Sequence, residues 1–130
     1  MAESAFGFLL RSLREQRGLS LRELAQLAEV DHAYIYRLET GTKESPSEDV
    51  LSKLIRALKP GKREADMLRW LASHSGTDPG VAEYALKDES INLELFTAVA
   101  STAFRGNARP DYAKRFDQIR RILSEDEDDG

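Results

Sequence analysis

Four side chains carry the clearest chemistry in this sequence: His32, Ala33, Tyr36 and Arg37. They occupy the outward positions of a short helical pattern whose inward positions are Ile35 and Leu38. An imidazole, a methyl, a phenol and a guanidinium on one face suit contact with another molecule's edges rather than bond making or breaking. No nucleophile–base pairing, metal-ligand cluster or phosphate-cradling glycine loop accompanies them, so an enzyme is not expected. The chain has no cysteine, and its two histidines, His32 and His74, lie far apart, so no metal or other cofactor is expected.

The elements around this face say how it is held. Leu19 to Gly41 contains two amphipathic patterns separated by a short break. Ser20 and Glu23 form the S-x-x-E capping box that starts the first, with Leu21, Leu24, Ala25, Leu27 and Ala28 on its buried side. Asp31 caps the second and Gly41 stops it. One helix that packs, followed by one that presents polar groups, is the layout of a helix-turn-helix, whose second helix enters a groove of duplex DNA. Glu39 is expected to be structural, paired with a backbone group or a basic neighbour such as Arg14. Tyr34 is expected to pack beside the first or fourth helix.

A preceding helix is expected over residues 4–17, with Phe6, Leu9, Leu10 and Leu13 inward and Gly18 as its C-cap. A polar loop then leads to Ser47, which caps a helix ending at Leu58, and Pro60-Gly61 separates this from a fifth helix near residues 62–73. The run Ser75-Gly76-Thr77-Asp78-Pro79-Gly80 reads as a linker. Three more helical patterns follow, at residues 81–87, 92–104 and 110–123, and no alternating strand pattern of useful length occurs. The expected fold is all-α: a five-helix unit over 1–75, a linker at 76–80, a small three-helix unit over 81–123 and a disordered acidic tail at 124–130.

The net charge of −4 divides unevenly. Residues 1–75 hold 12 basic and 11 acidic side chains, whereas residues 76–130 hold 7 and 12. A near-neutral first part permits DNA binding through a local cluster and implies modest non-specific affinity. No apolar run approaches the roughly 18 residues needed to span a bilayer, and the apolar patch Phe6 to Leu10 is cut short by Arg11, so a cytoplasmic location is expected.

The motifs LREQRGLS, LRELAQLAEV and YIYRLETG, with Ser45-Pro46-Ser47 before the next helix, make residues 6–58 resemble the phage-repressor/Cro-like (XRE) family of helix-turn-helix domains. One departure is Glu29, where that family often has glycine. It is tolerated if its backbone avoids the left-handed region. The resemblance implies that His32, Ala33 and Arg37 face base edges, with Tyr36 at the margin. Arg37 would donate in bidentate fashion to guanine, Ala33 would meet the thymine methyl, and His32 would reach a base or a phosphate. It further implies phosphate contacts from Ser20, Arg22, Thr40, Lys43 and Ser45.

One helix reads few bases, so a homodimer on a double-stranded operator is expected. Candidate dimer residues are Leu93, Phe96, Val99, Tyr112, Phe116, Ile119, Ile122 and Leu123, although these could equally form the second unit's own core. A short proline-led helix, the break at Asp88-Glu89, the sequence Phe104-Arg105-Gly106 and the ending Ile119-Arg120-Arg121-Ile122-Leu123 resemble the C-terminal part of DdrO-type DNA-damage-response repressors. That resemblance implies cleavage at Phe104–Arg105 by an ImmA/IrrE-type zinc metallopeptidase. Two alternatives stay open: an antitoxin-type autoregulator whose second half binds a toxin, and an interaction module that no longer binds DNA.

Overall fold

The computed structural model describes residues 4–42, 45–102 and 111–129. Among them are eight helices and no strand: α1 (Ala5–Gln16), α2 (Leu21–Ala28), α3 (His32–Thr40), α4 (Glu48–Leu58), α5 (Lys62–Ala72), α6 (Pro79–Leu86), α7 (Leu93–Ala100) and α8 (Tyr112–Asp129). Local sequence sets most of the helix starts. The side chains of Ser4, Ser20, Asp31, Ser47 and Asn92 each accept a hydrogen bond from a first-turn N–H of the helix that follows. Proline opens α6, where its missing N–H costs nothing. Arg17 caps the end of α1, and Gly18, one residue later, takes the left-handed conformation.

The central element is α1, which packs against α3, α5 and α6. Its buried stripe of Phe6, Leu9, Leu10 and Leu13 meets Leu24 of α2, Ile35 and Leu38 of α3, and Leu51, Leu54 and Leu58 of α4 in a single apolar cluster. Gly7 makes the α1–α3 approach possible. A Cβ there would lie 2.4 Å from the Leu38 carbonyl oxygen and 2.6 Å from that of Glu39.

The core continues without a break into Val81, Ala82 and Ala85 of α6, Phe96 and Val99 of α7, and Phe116 of α8. Packing therefore draws no boundary at residues 76–80. Arg63 of α5 adds a polar tie, because its Nη1 donates to the carbonyls of Ala85, Asp88 and Ile91 at 2.9–3.0 Å. These carbonyls lie at and just beyond the C-terminal end of α6, where a cation is favoured.

Two sequence expectations are corrected here. The acidic run after Leu123 lies within α8, which continues to Asp129, because no glycine or proline interrupts it. Leu27, assigned to the buried side of α2, is 57% exposed; the buried stripe consists of Leu24 and Ala28, and Leu27 lies to one side.

Candidate nucleic-acid interface

The presented face of α3 takes the form expected from the sequence. Ile35 and Leu38 are wholly buried, whereas His32, Tyr36 and Arg37 are exposed and Ala33 is half-buried. Tyr36 is among the most exposed large apolar side chains described, at 55%. Tyr34 is partly buried against the core. Beside this face, Arg22, Gln26 and Val30 of α2 and its turn join Asp31 and His32 around a shallow depression of about 260 Å3.

The proposed phosphate-contacting residues fall into three groups. Ser20 and Arg22 are exposed at the start of α2, where Ser20 also forms the capping box with Glu23 (Glu23 N to Ser20 Oγ 3.1 Å, Ser20 N to Glu23 Oε1 2.9 Å). The Thr40 hydroxyl donates back to the Tyr36 carbonyl at 3.0 Å and lies 3.1 Å from the Thr42 hydroxyl. Ser45 is exposed, but its hydroxyl donates to the Ala72 carbonyl at 2.7 Å, so a phosphate contact from it would have to replace that bond. Lys43 lies outside the described residues.

The pose of α3 is fixed from behind. Glu39 is 4% exposed and receives two hydrogen bonds from Arg14, Nε to Oε2 at 2.7 Å and Nη2 to Oε1 at 3.0 Å. A third donor, Arg14 Nη1, reaches the Leu19 carbonyl at 2.8 Å. The pair thus ties α1 to the end of α3 and to the segment that leads into α2. The hydrogen bonds to Glu39 hold the Arg14 guanidinium above its ordinary pKa despite burial. At the other end, the bonds from the Ser20 backbone and hydroxyl hold Glu23 below the usual carboxylate value.

The turn between α2 and α3 departs from expectation. Glu29 adopts φ 59°, ψ 45°, inside the left-handed region that the sequence reading required it to avoid. Its N–H bonds to the Ala25 carbonyl as the helix cap, so the reversal itself demands this conformation. The surrounding packing holds a residue without glycine's freedom in it, at a local cost of about 1–2 kcal/mol.

The candidate dimer residues are distributed unequally. Phe96, Val99 and Phe116 lie within the protomer's own core. Phe116 stacks on Tyr84 at 5.2 Å, and Leu93, Tyr112, Ile119 and Leu123 pack against that core while partly buried. Ile122 is 53% exposed. The bond between Phe104 and Arg105 lies outside the described residues. No helix among the described residues is long and apolar enough to cross a membrane.

Comparison with known proteins agrees with this geometry. Residues 5–68 match the family model of a helix-turn-helix domain. The HTH-type transcriptional repressor RghR of Bacillus subtilis is 42% identical over 55 residues, which are 42% of this chain and 41% of RghR. An uncharacterised HTH-type transcriptional regulator of Mycobacterium tuberculosis is 40% identical over 53 residues, 41% of this chain and 37% of that protein. The chain thus spans about two fifths of the length of the curated relatives it matches. The crystal structure of the clp gene regulator ClgR from C. glutamicum matches with 36% identity and a TM-score of 0.44, over 54% of this chain and 86% of that one. RghR is named as an HTH-type transcriptional repressor and the mycobacterial protein as an HTH-type transcriptional regulator. Residues 5–68 thus match a helix-turn-helix domain, and part of that stretch is similar to part of HTH-type transcriptional regulators.

Proposed function

We propose that this protein is a sequence-specific DNA-binding transcriptional repressor that acts as a homodimer. The observation that carries this reading is the division of α3 into two sides. Ile35, Leu38 and Glu39 lock one side to α1, while His32, Tyr36 and Arg37 are exposed on the other. With α3 in the major groove, Arg37 donates two hydrogen bonds to a guanine, Ala33 packs on a thymine methyl, and Ser20, Arg22, Thr40 and Lys43 steady the backbone. Two copies are needed because one such helix distinguishes too few base pairs.

Regulation by cleavage belongs to the same proposal and rests on the resemblance of the C-terminal sequence to DdrO-type repressors. A metallopeptidase cut between Phe104 and Arg105 would leave α8 held only by noncovalent contacts, among them buried Phe116 and the Tyr112 hydroxyl donating to the Asp78 carboxylate. Without its covalent tether, α8 would lose effective concentration, and any dimer contact it makes would weaken.

Selection of binding sites from random duplexes with the full chain tests this. The expected result is enrichment of a two-fold symmetric site, with the half-sites placed on one face of the duplex. Recovery of no preferred sequence would overturn the reading.

A further inference from the structure

The ends of α1, α2 and α4 enclose a depression of about 380 Å3 that shares no residue with the groove beside α3. Exposed Leu27 lines it with Ala57, together with Arg17, Lys53, Arg56 and Lys59. Arg17 spends one nitrogen on the Leu58 carbonyl (2.9 Å) and Lys53 faces Asp49 at 3.4 Å, while Arg56 and Lys59 have no acidic partner within salt-bridge distance among the described residues. Among the described residues, Glu29 is the one carboxylate lining the depression. Apolar side chains beside a group of cations suit a segment with an apolar residue followed by acids.

This chain contains such a segment. Ile122 is exposed on α8, and the helical register brings positions 125, 126 and 129, all acidic, to the same side as position 122. In its own protomer α8 packs on α6 and α7, away from the elements that form the depression. We infer that the acidic end of α8 from a second copy docks in the Leu27 depression, with Ile122 against Leu27 and Glu125 among Arg17, Lys53, Arg56 and Lys59. Made reciprocally, the contact closes a two-fold dimer. This deepens the homodimer reading above and gives a role to the acidic run that net-charge arguments leave unexplained.

Sedimentation velocity on the full chain without DNA provides the test. Wild type should self-associate, with a dissociation constant at least tenfold weaker in 500 mM than in 50 mM salt. Lys53→Glu/Arg56→Glu and, separately, Glu125→Lys/Asp129→Lys should each weaken self-association at least tenfold. Mixed one to one, the two variants should recover wild-type association, because each contact then pairs opposite charges. The milder Glu125→Gln/Asp129→Asn should weaken association without disturbing the fold. A monomeric wild type, unchanged variants or a mixture that stays apart would each overturn the inference. Because no DNA is present, failure here leaves the site-selection result untouched, and loss of sequence preference there leaves this one untouched.

Discussion

Replacing Glu39 with alanine removes the acceptor of two of the three hydrogen bonds donated by Arg14. The guanidinium cannot simply turn to water, because the Arg14 side chain is 13% exposed in the ion pair and its third donor is fixed on the Leu19 carbonyl. Breaking a buried pair from one side costs roughly 3–5 kcal/mol, most of it the desolvated charge left behind. For a chain of 130 residues, an unfolding entropy of about 2.1 cal/mol/K per residue turns this into a fall in Tm of about 11–18 °C. Glu39→Gln keeps one acceptor and should cost roughly 1.5–3 kcal/mol. The double change Arg14→Met/Glu39→Leu should be less harmful than Glu39→Ala, because no charge remains to strand. Urea denaturation of the four proteins, followed by circular dichroism, measures all of this. A cost below about 1 kcal/mol for Glu39→Ala, or a double variant no more stable than Glu39→Ala, would show that no buried charge is stranded.

Gly7→Ala should destabilise by about 1–3 kcal/mol in the same assay, since the new methyl meets two backbone carbonyl oxygens that cannot rotate away. Glu29→Gly should stabilise by about 1 kcal/mol by relieving the left-handed strain, read as a higher urea midpoint at an unchanged slope. Glu23 has its pKa lowered in the fold, so its contribution is present above the unfolded carboxylate pKa and fades as pH falls through the lower folded value; the loss belongs below about pH 4. Glu23→Gln should flatten that part of the stability–pH curve, and the same sign applies to Asp88, which is held low by the Ser90 hydroxyl and N–H. A steeper acid limb in Glu23→Gln would contradict the assignment.

What the sequence made legible was local. Ser20, Glu23, Asp31, Ser47 and the Ile35/Leu38 spacing act within one or two helical turns, and each performs its expected job. The Arg14–Glu39 pair was also within reach, because a carboxylate on a helix meant for phosphates needs another purpose. Features that depend on distant backbone were not legible. Gly7 reads as an ordinary helix residue until the Leu38 carbonyl arrives over it. The acceptors of Arg63 lie 22–28 residues away. No periodicity announces that α6 rests on α1, so the linker-like composition of residues 75–80 concealed a continuous core. The dimer candidates illustrate the same gap: an apolar stripe is compatible with a core or an interface, and only packing assigns Phe96 and Phe116 inward while leaving Ile122 outside.

Whether α3 reads bases through its exposed face is decided by Arg37→Ala. Competitive fluorescence anisotropy against the selected site and its single-base variants is the measurement. Wild type should discriminate against replacement of one guanine per half-site by roughly 1–3 kcal/mol, and Arg37→Ala should lose that discrimination while keeping the thermal midpoint of the fold. An Arg37→Ala protein with the sequence preference of wild type would contradict it.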